Sequence, residues 1–222
     1  MRTLGLGIAI AIATVAFGPS AASAQDGPPM GFFVTSAGPG NGGNLGGLAG
    51  ADAHCQMLAE AAGSNRTWRA YLSAAVAGGR GAPPQAAVNA RDRIGTGPWY
   101  NANGALIASN VADLHEDRNN IRKPTAVDQN GDEVNGVGDD PNQHDILTGS
   151  DSMGRVATGA ANVTTCNNWT SNAETDRTIV GHHDRLGGGS ASWNSTHSSA
   201  GCTQQQLVQT GGNGLFYCFA VD

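Results

Sequence analysis

Charge and aromatic side chains are both scarce in this chain, at 14% and 5% of its 222 residues. Twelve Lys and Arg stand against 18 Asp and Glu, giving a formal net charge of −6 at pH 7, and the basic residues are scattered. Nucleic acid, heparin-like polyanions and anionic membranes are held by clustered Lys and Arg, so none is an expected partner. A long hydrophobic run is also lacking. The longest, Leu4 to Phe17, covers about 14 residues, below the roughly 18 to 20 that span a bilayer. No Cys-x-x-Cys pair occurs, which argues against a zinc ribbon or a thioredoxin-type site. Neither a Gly-x-Ser-x-Gly elbow nor a His-Glu-x-x-His helix is present, and the expectation is a protein that is not an enzyme.

What is present starts with a secretory pattern. Arg2 supplies a positive end, Leu4 to Phe17 an apolar stretch, and Ala22-Ser23-Ala24 a small-x-small cleavage site. Residues 1–24 therefore read as a signal peptide, 25–29 as a linker and 30–222 as one domain, large enough to bury a core. The expected location is extracellular or periplasmic. Four cysteines in an exported chain read as two disulfides. Cys55, Cys166, Cys202 and Cys218 allow three pairings, among which spacing does not choose.

With 33 glycines the domain is rich in turns, yet apolar segments recur to its end. Met30 to Thr35 reads as a strand, and Gly50 to Ala62 as the clearest helix, with Cys55 on its apolar face and Gly63 as C-cap. Thr67 to Leu72 alternates like a strand, and Gln85 to Arg93 is compatible with a short helix. Trp99-Tyr100 and Leu106-Ile107 flank Asn-Ala-Asn-Gly, a hairpin signal, and Val111 to Leu114 suggests one helical turn. Asp128 to Asp145 is a long acidic loop of the kind that binds something or moves. Ile146 to Thr148, Ile179-Val180 and Leu215 to Val221 return to strand character. This order predicts an α+β fold with a mostly antiparallel sheet.

Six segments in register resemble the endostatin-type domain at the C-terminal end of some collagens, and a bacterial secreted lectin-like family. They are Gly47 to Cys55, Arg66 to Ser73, Gly97 to Asn101 with the Leu106-Ile107 hairpin, Thr148 to Arg155, Thr165 to Ser171, and Leu215 to Phe219. The resemblance implies a C-type-lectin-like fold with one main helix, long loops and nested disulfides, Cys55–Cys218 outside Cys166–Cys202. It also implies a ligand site in the loop-rich half. The arginine clusters with which the collagen domain binds heparin-like chains are missing, so that activity is not carried over.

The acidic loop offers hard oxygen ligands at Asp128, Asn130, Asp132 and Asp139, of the kind calcium takes in sets of six to eight. Its spacing departs from the EF-hand loop, and a solvated loop is the competing reading. Asp140-Pro141-Asn142 resembles the Glu-Pro-Asn motif of C-type lectins. Trp193-Asn194 resembles their Trp-Asn-Asp, with Ser195 in place of the last ligand. Asp140, Asn142, Trp193 and Asn194 are therefore the candidate glycan-binding residues, and Trp193 the tryptophan most expected to be exposed. His182-His183-Asp184, with His197 beyond, reads as exposed or hydrogen-bonded histidines, because neighbours on a strand face opposite ways and cannot share one ion. The expected function is a non-enzymatic binding module for a glycan or a surface or matrix component, through the loops between 128 and 197. A structural or protein-interaction domain of the cell envelope is the alternative, and a hydrolase using His182, His183 or Asp184 a third.

Overall fold

A computed structural model describes residues 27–78, 85–116, 118–187 and 191–222. The signal-peptide reading, the first linker residues and the tip of the Ala77–Pro84 loop lie outside the described residues. Among the described residues no helix is long and apolar enough to cross a membrane.

The fold is organised by its last strand. Gly212–Ala220 (β8) pairs antiparallel with Phe32–Val34 (β1) and Trp68–Ala70 (β2) and parallel with Asp145–Leu147 (β5). Ile179–His182 (β6) continues the sheet antiparallel to β5, and His197–Ser198 (β7) ends it. Successive side chains of a strand face opposite ways, so β8 serves two cores. Leu215, Tyr217 and Phe219 enter one with Phe32, Ile107, Leu114 and Ile146. Phe216, Cys218 and Ala220 enter the other with Phe33, Leu147 and Trp169. Burial on both faces explains why this strand is an unbroken apolar run rather than an alternating one.

The second core is covered by Gly47–Ala61 (α1), whose buried stripe is Ala51, Cys55 and Ala59. The helix begins three residues earlier than its apolar pattern indicates. Gly63, at φ +84, follows its last turn and donates to the Glu60 carbonyl at 2.9 Å; a side chain there would be strained in this left-handed backbone. The first core is covered by the hairpin of Trp99–Tyr100 (β3) and Leu106–Ala108 (β4) and by the turn Val111–His115 (α2). Gln85 to Arg93 forms a 3₁₀ turn over Ala90–Asp92 rather than a helix. A further helix at Gln204–Gln209 has no apolar pattern, because its residues are mostly polar. Its one signal is Thr203, whose hydroxyl accepts from the Gln206 amide at 3.1 Å, three residues before a Gln as in a capping box.

Both disulfides have the pairing that the resemblance implied, Cys55–Cys218 and Cys166–Cys202. They close separations of 163 and 36 residues, for which loop-closure entropy sets upper limits of about 5 and about 4 kcal/mol. The outer bridge fastens α1 to β8. The inner one joins Cys166, in a left-handed turn from Cys166 to Trp169, to the segment before the Gln204 helix. All four tryptophans are buried. Trp193, of the four the one with most reason to be exposed, is 4% exposed and packs on Tyr71 and Tyr217 at ring-centre distances of 4.8 and 5.3 Å. In a core with few aromatics this large side chain is more stable inside, because its apolar area is removed from water.

Candidate metal centre

Register brings together residues that lie far apart in the chain. Asp145 opens β5 and stands directly opposite His182, the last residue of β6. One strand further, β7 supplies His197, and His144 is the residue just before β5. His183 turns to the other face, where its Nε2 lies 3.0 Å from the Asn135 carbonyl, as strand alternation requires.

Asp145 Oδ1 is the point of convergence. It lies 3.1 Å from His182 Nε2, 3.4 Å from His144 Nε2 and 3.4 Å from His197 Nε2. His182 Nε2 and His197 Nε2 are 3.0 Å apart. The His144 and His182 rings stack at 4.0 Å with 20° between their planes, and both turn Nε2 towards the same carboxylate oxygen. Ligand atoms at 2.0–2.2 Å from a tetrahedral zinc lie about 3.3 to 3.6 Å from one another, close to the separations of Asp145 Oδ1 from the three imidazole nitrogens. The ligand atoms of His144, Asp145 and His182 all lie within 4.8 Å of one another.

These groups are buried, and part of their hydrogen-bonding capacity is unused. His182 is fully buried, Asp145 3% and His144 7% exposed. Neither carboxylate oxygen of Asp145 has a hydrogen-bond partner, and the same holds for Nδ1 of His144 and of His182. A buried polar group without a partner costs on the order of 1–3 kcal/mol, and a charged one more. Native proteins seldom retain such groups without a role. A divalent cation would satisfy the carboxylate and draw the facing imidazole nitrogens together as neutral ligands.

Behind this cluster stands Asp184. Its Oδ1 is 3.5 Å from His144 Nδ1 and accepts from the Leu186 amide at 2.9 Å, while Oδ2 accepts from the Val137 amide at 2.7 Å. Burial alone would raise its pKa, but His144 and the two amides outweigh it and hold the carboxyl well below its usual range. Burial likewise opposes a charged His144, yet Asp184 and Asp145 raise its pKa on balance. Burial lowers that of His183. A carboxylate behind a ligating histidine fixes the ring's tautomer and orientation, the usual outer-shell arrangement of metal sites.

The oxygen-rich candidates are arranged differently. Asp128 Oδ1 accepts from the amides of Asn130 and Asp132 at 2.8 and 3.0 Å. Asp139 pairs with Lys123 at 2.5 Å and accepts from the Gly136 amide. Asp128, Asp132 and Asp139 do not converge as a group of ligand atoms. Asn142 caps the amide of His144 at 3.2 Å, and Asp140 is exposed. Asn194 is buried, with its amide nitrogen 2.9 Å from the Tyr71 hydroxyl. Trp193 and Asn194 nevertheless border a pocket of about 310 Å³ with His115, Ser152, Ala191 and Ser192.

His144 and Asp145 do not stand out in the sequence because they lie in a polar, acidic stretch that reads as loop. The available signal is the adjacent His-Asp pair at the start of an apolar strand. No protein-family model matches the chain, and no curated protein matches it.

Proposed function

We propose that this protein is an exported, disulfide-braced binding module whose ligand is a divalent transition metal of the zinc class, held by His144, Asp145, His182 and His197. The single observation that carries this reading is the buried Asp145 carboxylate, whose Oδ1 faces three imidazole nitrogens at 3.1–3.4 Å and whose Oδ2 has no hydrogen-bond partner. Imidazole nitrogen with one carboxylate oxygen is a donor set for zinc, copper, nickel or iron. Calcium and magnesium prefer all-oxygen shells. Export fits the two disulfides, which persist in oxidising compartments.

The test is direct. Metal-free protein titrated with zinc in a calorimeter takes up one ion per chain. Cobalt in its place gives the visible absorption of a low-coordinate site, and Asp145→Asn abolishes both. Absence of stoichiometric zinc uptake by the folded, oxidised protein refutes the reading.

The lectin-like reading stands beside it for a different surface. It is supported by the resemblance in six segments and by the pocket next to Trp193 and Asn194. It includes the C-type-lectin-like topology and the glycan or matrix ligand, and a glycan array with and without calcium tests it.

A further inference from the structure

The four side chains of the proposed centre are not equivalent. His144, Asp145 and His182 are buried on or beside their strands, whereas the side chain of His197 is 39% exposed. His197 lies on β7, the two-residue strand at the edge of the sheet. Its backbone is anchored on both sides. The Thr196 amide donates to the Val180 carbonyl at 2.7 Å, and the Ser199 amide to the Thr178 carbonyl at 2.8 Å. Its ring contacts are Nδ1 at 3.1 Å from the carbonyl of the next residue, Ser198, and Nε2 at 3.0 Å from that of His182 and 3.4 Å from Asp145 Oδ1. An exposed side chain of this kind changes rotamer in picoseconds to nanoseconds, while the buried three cannot move without disturbing the core.

Resting on the metal reading above, we infer that His197 is the exchangeable ligand of the centre: metal enters and leaves past β7, and the position His197 vacates accepts an exogenous monodentate donor. The step is a ligand exchange. The lone pair of His197 Nε2 leaves the metal, and a lone pair of the incoming imidazole, water or small anion replaces it, with no change of oxidation state. The three buried ligands keep the ion throughout. Two histidines and one carboxylate with a fourth position open form the arrangement through which bound metals meet outside ligands.

Zinc release into excess 4-(2-pyridylazo)resorcinol, followed by absorbance, tests this on the full oxidised chain. The expected result is that His197→Ala still binds one zinc per chain and releases it about tenfold faster or more. Millimolar imidazole then slows that release and shifts the spectrum of the cobalt-loaded variant, leaving the wild type unchanged. Circular dichroism checks that the variant is folded, which an exposed position makes the expected outcome. Release at the wild-type rate overturns the inference. So does loss of all zinc binding, because His197 would then be no different from the buried three. If the wild type itself takes up no zinc, the metal reading fails, an outcome distinct from either.

Discussion

Two buried polar clusters lie in this fold, and they treat their histidines in opposite ways. In the first, His115 Nδ1 lies 2.8 Å from the Val111 carbonyl and so carries a proton, leaving Nε2 to accept from the Tyr71 hydroxyl at 2.8 Å. Tyr71 in turn accepts from the Asn194 amide nitrogen at 2.9 Å, so each member has a partner. In the second, Asp145 Oδ2 and His182 Nδ1 have no hydrogen-bond partner, Asp145 Oδ1 meets only imidazole nitrogens, and His144 Nδ1 stands 3.5 Å from Asp184. The same residue type therefore serves as a tie in one place and, on the proposed reading, as a metal ligand in the other. What separates them is polar satisfaction rather than burial, since both are sequestered.

The comparison can be broken most decisively at Asp145. Asp145→Ala is expected to lower zinc affinity by more than about 100-fold, beyond the loss of an outer-shell partner, as read by calorimetry. Zinc at about a hundred times its dissociation constant should stabilise the wild type by about 2.7 kcal/mol. That is a rise in Tm of roughly 5–10 °C for a domain of this size, measurable by scanning calorimetry, and Tyr71→Phe should leave the rise intact. One step out, Asp184→Asn should cost about 10- to 100-fold in zinc affinity through the lost orientation of His144. In the other cluster, Tyr71→Phe leaves His115 and Asn194 without that partner and should lower unfolding free energy by about 1–3 kcal/mol, read from urea melts of the metal-free protein.

The smallest effect is a pH dependence. Burial lowers the pKa of His115 below 6.5. As pH falls through 6.5 the unfolded chain takes up a proton that the folded one refuses, so stability declines from there down to the folded pKa. Metal-free urea melts at descending pH should show this fall, and His115→Gln should reduce it. An unchanged profile would place the acid sensitivity elsewhere, and the tie would then be no better sequestered than the ligands.

Much of the scaffold is legible in the sequence because it rests on local signals. The apolar run around Phe216 to Phe219, the inward face carrying Cys55, and the Asn-Gly hairpin between Tyr100 and Leu106 each state their element within a few residues. The Gln204 helix is hidden because its polar side chains carry no apolar period. Trp193 is the tryptophan with most reason to be exposed because its neighbours are Ser and Asn, while the aromatic partners that bury it, Tyr71 and Tyr217, are distant in the chain. The centre is the least legible part. His182 can be seen, but nothing near it announces that Asp145 will be its cross-strand neighbour.

The sequence by itself determined the α+β class and most of its strands, the sparse and scattered charge, and an even set of cysteines suited to two bridges. These depend on composition and on short-range periodicity, which a linear chain carries in full. Only the tertiary structure decided that His144, Asp145, His182 and His197 meet. Their meeting depends on the register of β5 against β6 and of β6 against β7. A one-residue slip in either pairing would send the ligands to opposite faces of the sheet.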